Sequence, residues 1–133
     1  YSRPGISLDI MGTITELAGV NIAEDRPLDG VNLIPFLTGE NEGAPHDQLF
    51  WRKWEKQGMC IRNGDIKLVA NTQRQKNSYQ LFNVEKDLSE TKNLRKQSPE
   101  KSKELLEAWE AWNDQLKDRI FPTLMADKWW ERL

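Results

Sequence analysis

Cysteine and histidine are nearly absent from this sequence: each occurs once, as Cys60 and His46, in 133 residues. A single cysteine excludes an internal disulfide and a cysteine-built zinc site. A single histidine leaves the chain unable, by itself, to assemble the usual metal cages or nucleophile–His–carboxylate triads. No apolar run approaches the ~18–20 residues of a membrane-spanning helix. There is no surplus of positive charge either. The formal net charge is −2 and the pI is near 5.5, whereas nucleic acid is usually met by a basic face. No initiator Met or signal peptide is visible. The opening Tyr1-Ser2-Arg3-Pro4 reads as the interior of something longer, so an export signal on the parent protein would lie outside this sequence.

What is present suits a globular domain with a modest core: 38% of residues are hydrophobic and 30% charged, close to the average for soluble chains. Tryptophan is the unusual abundance. Its six copies are grouped as Trp51 and Trp54, Trp109 and Trp112, and Trp129 and Trp130.

The apolar spacing of Ile6, Ile10, Ile14 and Leu17 predicts a helix over 6–19, with Ser7 as N-cap, Asp9 in the first turn and Gly19 as a left-handed C-terminal stop. Residues 20–47 are punctuated by Pro and Gly. They read as a long loop draped over a neighbouring surface, with room for one helical turn in Val31–Leu37. From 48 to 84 the pattern turns to β. Four short apolar runs, 49–54, 59–62, 66–70 and 79–84, predict an antiparallel sheet. Asn63-Gly64 lies between the second and third runs, where both central residues of a type I′ hairpin would need positive φ. Asp87, Ser89, Glu90 and Asn93 suit a loop whose short polar side chains bind backbone N–H groups. Ser98-Pro99-Glu100 starts a second helix, whose stripe of Leu105, Leu106, Trp109, Trp112, Leu116 and Ile120 would roof the sheet until Pro122 ends it. The fold class is therefore α+β: a four-stranded antiparallel sheet packed by a C-terminal amphipathic helix and preceded by a helix and loop.

The order of these segments resembles a family. Ser7-Leu8-Asp9-Ile10 followed by Thr13 and Ala18-Gly19, then Leu28-Asp29-Gly30-Val31-Asn32-Leu33 with Pro35-Phe36-Leu37, then Cys60-Ile61-Arg62-Asn63-Gly64-Asp65-Ile66-Lys67-Leu68-Val69, and finally Tyr79–Asp87 with Glu90 and Asn93-Leu94, are similar to blocks near the C-terminus of the arylsulfatase-like sulfatases, in the alkaline phosphatase superfamily. The blocks run from residue 1 to about 116. Gly12 and Leu88 stand where the family usually has Pro, and Ile66 where it has an aromatic. Gly12 could therefore change where the first helix begins or bends.

This resemblance implies a division at residue 47. Residues 1–47 would be the terminal helix and linker of a large α/β main domain, and 48–133 the small C-terminal α+β domain. It also implies an exported bacterial parent that hydrolyses sulfate esters of sulfated carbohydrate, with a divalent cation (Ca or Mg) and a formylglycine made from Cys or Ser in a Cys/Ser-x-Pro-x-Arg motif. That motif is not recognisable here. Cys60 is followed by Ile61-Arg62 without the Pro, and Ser2-Arg3-Pro4-Gly5-Ile6 has Ile6 in place of the Arg. No catalytic or metal-binding residue is assigned to this chain, which is expected to be inactive alone. A free-standing carbohydrate-binding or interaction module, or a piece of a related metal-dependent phosphoesterase, are the alternatives.

For substrate the candidates are Trp51, Arg52, Lys53 and Trp54. Alternation puts Trp51 and Lys53 on one face and Arg52 and Trp54 on the other. Aromatic rings beside cations suit a sulfated sugar. The plainer reading is that one Trp fills the core while the charges are solvated. Trp109 and Trp112 read as core. Trp129 and Trp130 could cover a sheet edge, dock on the main domain or join an oligomer. His46, in a loop with Pro45 and Asp47, reads as a surface residue with no partner carboxylate identifiable by spacing. Without its main domain the chain is expected to expose Ile10, Ile14, Leu33 and Phe36 and to self-associate.

Overall fold

A computed structural model describes residues 1–23, 27–53, 58–71 and 79–117. Trp54, Trp129, Trp130, Ile120, Pro122 and the polar tip at 72–78 lie outside the described residues. The chain forms two compact units, Tyr1–Leu49 and Phe50–Leu133, and the boundary falls inside a strand.

The first unit holds α1 (Leu8–Leu17) and the short α2 (Ile34–Thr38). Helix α1 ends as its sequence predicts. Gly19 takes φ +63°, its N–H bonds Glu16 O at 3.0 Å, and Val20 N–H bonds Thr15 O at 3.0 Å. This paired pattern satisfies carbonyls that the last turn would leave open, and it needs a residue without a Cβ at the left-handed position. The start of α1 differs from expectation. Ser7 is helical in φ/ψ and its hydroxyl caps nothing; Asp9 instead reaches back to accept the Ile6 N–H at 2.8 Å. The helix runs through Gly12, which is buried.

The second unit is a sheet in the order β1-β2-β3-β4, built from β1 (Gln48–Lys53), β2 (Gly58–Asn63), β3 (Ile66–Asn71) and β4 (Tyr79–Asn83). The β2–β3 and β3–β4 pairs are antiparallel, with Ile61 opposite Leu68 and Leu68 opposite Leu81. The hairpin turn sits one residue later than the sequence suggests. Asn63 pairs with Ile66, so the central residues are Gly64-Asp65, and only Gly64 has positive φ, at +55°. Positive φ at the first central residue alone belongs to the II′ class, not I′. Asn63 remains a strand residue because Gly64 can supply the strained position by itself.

Helix α3 (Pro99–Asn113) covers one sheet face. Met59, Ile61, Leu68, Ala70 and Leu81 meet Leu105 and Trp109 there, and Ile61, Leu68 and Leu105 have no exposed surface. Each such aliphatic side chain contributes about 1.5–3 kcal/mol on burial. The period-two pattern of the strands and the i, i+4 spacing of Leu105 and Trp109 put these groups on facing surfaces. Phe50 stacks on Trp112 with ring centroids 5.1 Å apart, so the Phe50 side of β1 faces the helix. Ser98 again fails to cap through its hydroxyl; its carbonyl takes the Ser102 N–H and Oγ–H at 3.2 and 3.0 Å.

The loop after β4 behaves largely as its composition predicts. Asp87 accepts the Lys92 N–H at 2.7 Å, and Asn93 Oδ1 accepts the N–H groups of Leu81 and Arg95 at 3.1 and 3.0 Å. Glu90 departs from the pattern. It has φ +54° and sends its carboxylate to the Lys67 ammonium rather than to the backbone.

Candidate functional site

Three of the four proposed substrate residues are described, and the fold separates them. Arg52 lies on the Phe50 side of β1. Its guanidinium donates to Asn113 Oδ1 at 3.3 Å and to the Lys117 carbonyl at 3.0 Å. A cation beside the end of α3 complements the negative end of its dipole, and here it ties β1 to the last helical side chain and to the turn that follows. That engagement makes Arg52 a fastener for α3. Trp51 and Lys53 occupy the opposite side of β1, as alternation requires. Both are exposed, and the Trp51 backbone carbonyl is held by Trp109 Nε1–H at 3.0 Å. An exposed indole on a fixed backbone, next but one to an ammonium, can stack on a sugar ring and meet a sulfate. Trp51 and Lys53 are thus the described part of the candidate surface. Trp109, at 7% exposure, is core, and the indole that fills the space under α3 comes from the helix and not from β1.

Cys60 offers no nucleophile. Burial pushes its thiol up to about 11, so the thiolate that would react is scarce near neutral pH.

The first unit contains a buried ionisable pair that spacing did not reveal. Asp9 has no exposed surface. Its Oδ2 accepts the Ile6 N–H at 2.8 Å; its Oδ1 accepts the Val31 N–H at 3.0 Å and lies 2.8 Å from His46 Nε2. His46 is therefore not the surface residue expected from its loop; its side chain is 12% exposed and its partner is 37 residues away. Burial by itself raises the Asp9 carboxyl, but the two backbone N–H groups and His46 outweigh it and hold the group below its usual range. Two glycines let the 30–33 backbone come this close. A Cβ on Gly30 would stand 2.1 Å from the Leu8 carbonyl oxygen, and one on Gly12 would stand 2.8 Å from the Gly30 carbonyl oxygen. Thr13 Oγ1 then accepts the Leu33 N–H at 3.0 Å.

A His–carboxylate pair can serve as a general base when a nucleophile lies beyond the ring. Here the carboxylate oxygens are already occupied by N–H donors that tie α1, the 30–33 segment and the His46 loop together. That donor set does not fit a divalent cation, and among the described residues no group of three His, Cys, Asp or Glu side chains could hold one. The pair positions backbone. No helix among the described residues is long and apolar enough to cross a membrane.

No protein-family model matches the chain. Over 48 residues, 36% of its length, it is 40% identical to steryl-sulfatase of Homo sapiens. It is also similar in structure to Ps i-CgsB, solved in complex with k-i-k-neocarrahexaose, with a TM-score of 0.69, 26% identity and 84% of this chain covered. A second structure, BT4656 in complex with its substrate D-glucosamine-2-N,6-O-disulfate, gives a TM-score of 0.57, 25% identity and 80% coverage. The chain spans only 8% of the steryl-sulfatase and 25% and 23% of the two solved chains.

Proposed function

We propose, from the premise that this chain belongs to the sulfatase family, that it is the C-terminal portion of a sulfuric ester hydrolase acting on sulfated carbohydrate, and that its own role is structural and as a wall of the substrate pocket. The observation that carries the reading is the four-stranded sheet with its roofing helix, matched over 84% of the chain to a protein crystallised in complex with k-i-k-neocarrahexaose. The nucleophile, a formylglycine, and the divalent cation would be supplied by an α/β main domain preceding Tyr1, and the parent would be exported. Residues 1–47 belong to that main domain in this reading, and Trp51 and Lys53 face the sugar.

Full-length protein bearing this chain should hydrolyse an aryl sulfate and at least one member of a panel of sulfated sugars, while residues 1–133 alone should not. Turnover of phosphate esters without any sulfate ester would replace this reading with the phosphoesterase alternative.

Helix α1 supports the docking half of the proposal. Ile10, Met11, Ile14 and Leu17 are 54–69% exposed, and Leu8 and Val20 are about half exposed. A face this apolar is covered by something in most stable proteins. The main domain is the occupant we assign. Residues 1–133 alone should therefore self-associate, and Ile14→Lys with Leu17→Lys should return a monomer in sedimentation velocity. A monomer at high concentration without these substitutions would count against an uncovered α1.

A further inference from the structure

Between the start of β4 and the first half of α3 lies a cleft of about 400 Å³, within the size range of small-ligand sites. Its walls divide by chemistry. Tyr79, Pro99 and Leu106 supply apolar surface, while Arg95, Lys96 and Lys103 bring three cations, and among the described residues no carboxylate lines it. Register explains the position of the tyrosine. Tyr79 pairs with Ala70, so its ring lies on the side of the sheet that α3 covers, but at the edge strand, where the helix leaves it half exposed.

One cation of the wall, Arg95, is held in place before any ligand arrives. The Arg95 guanidinium carbon sits 5.5 Å from the centre of the Tyr79 ring, and the Arg95 N–H is fixed by Asn93 Oδ1, which also ties the loop to Leu81 of β4. Planar guanidinium stacked on an aromatic keeps its edge in one orientation. Lys103 has a carboxylate near it, Glu107 at 3.8 Å, but both side chains are mostly exposed, and such pairs are worth little. An incoming anion can take over Lys103 at small cost.

We propose that this cleft binds a sulfated saccharide. A pyranose ring presents C–H faces that pack on Tyr79, Pro99 and Leu106, and its sulfate oxygens accept charge-assisted hydrogen bonds from Lys96, Lys103 and Arg95. The inference rests on the sulfatase reading for the choice of sulfate among anionic sugars; the cations and the apolar floor are its own evidence. The site reads polymer length and charge, because a rim of separated cations gains more from a chain carrying several sulfates than from one sulfated monosaccharide.

The test uses the full-length protein and a sulfated hexasaccharide followed by calorimetry and by the amide resonances of Arg95, Ser102 and Leu106. Lys96→Gln with Lys103→Gln should weaken binding about tenfold, the loss of one or two charge-assisted contacts. Lys86→Gln with Lys92→Gln removes the same charge outside the cleft and should leave affinity within about twofold, as distant exposed charges do in screening salt. Equal losses in the two variants, undiminished binding of the desulfated hexasaccharide, or equal affinity for a single-stranded oligonucleotide of the same charge would each overturn the proposal. Aryl sulfate turnover by the unsubstituted protein is scored separately. Binding through the cleft without sulfate hydrolysis would sink the enzymatic reading and leave a saccharide site; hydrolysis without cleft-dependent binding would do the reverse.

Discussion

Asp9→Ala is expected to destabilise the first unit by about 3–5 kcal/mol, because it removes the shared acceptor of a buried charged network and leaves its donors unpaired. Ile6 N–H, Val31 N–H and His46 all end on this carboxylate, and the backbone around it is packed closely, Gly30 against Leu8 and Asp9 and Gly12 against Val31. Amide hydrogen exchange at Val31 and Ile6 reads the effect directly: both should lose protection in Asp9→Ala while Leu68 and Leu81 in the sheet are much less affected. Unchanged exchange at Val31 would show that the network holds nothing.

The same residue sets an acid limit. Folding lowers the Asp9 carboxyl below its ordinary value. A group depressed in this way contributes its stability in full above the unfolded pKa, ~3.9, and loses it as pH falls through the folded value. Protection at Val31 should therefore hold at neutral pH and fall away below about pH 4. Asp9→Asn, which cannot take up that proton, should be weaker at pH 7 and flatter across the acid range.

Trp109→Ala is the counterpart in the second unit, with an expected cost of about 3–5 kcal/mol. The indole is 7% exposed, packs with Leu105 over Met59, Ile61 and Leu68, and donates Nε1–H to the Trp51 carbonyl at 3.0 Å. Its loss opens a cavity in the middle of the core and unpairs the β1 carbonyl at once. Trp109→Phe separates the contributions: it keeps a ring in the core but drops the hydrogen bond, worth about 1 kcal/mol, along with part of the ring volume. Urea denaturation followed by far-ultraviolet circular dichroism checks both variants. A loss under 1 kcal/mol for Trp109→Ala would mean that α3 does not depend on this side chain, and a roof of that kind could not hold β1 in place.

The local elements were legible because short-range rules decide them. Alternating apolar runs with a Gly-containing turn specify a hairpin whatever surrounds them, and Leu105 with Trp109 marks the inner side of a helix by spacing alone. The errors fall where two local solutions compete. Gly64-Asp65 displaced Asn63-Gly64 as the turn because glycine alone supplies the positive φ that a II′ turn needs. Ser7 and Ser98 sit at helix starts without capping, since Asp9 reaches the Ile6 N–H instead and the Ser98 carbonyl takes Ser102. Helix α3 stops at Asn113, before the apolar spacing ends at Ile120, and Arg52 holds the Asn113 side chain and the Lys117 carbonyl just beyond it.

Composition and order of residues were sufficient to establish an antiparallel sheet under a Trp-bearing helix and the resemblance of its sequence blocks to those of sulfatases, since periodicity and turn sterics involve neighbours only. Partnerships across distance came from the tertiary fold: His46 with Asp9, Arg52 with the end of α3, and Tyr79 with Arg95 and Lys103 around one cleft. Spacing along a chain says nothing of which loop a glycine will admit against a helix. At Gly30 and Gly12 it is the missing Cβ that lets the backbones meet, and only that meeting turns an acid in a first helical turn into a buried anchor.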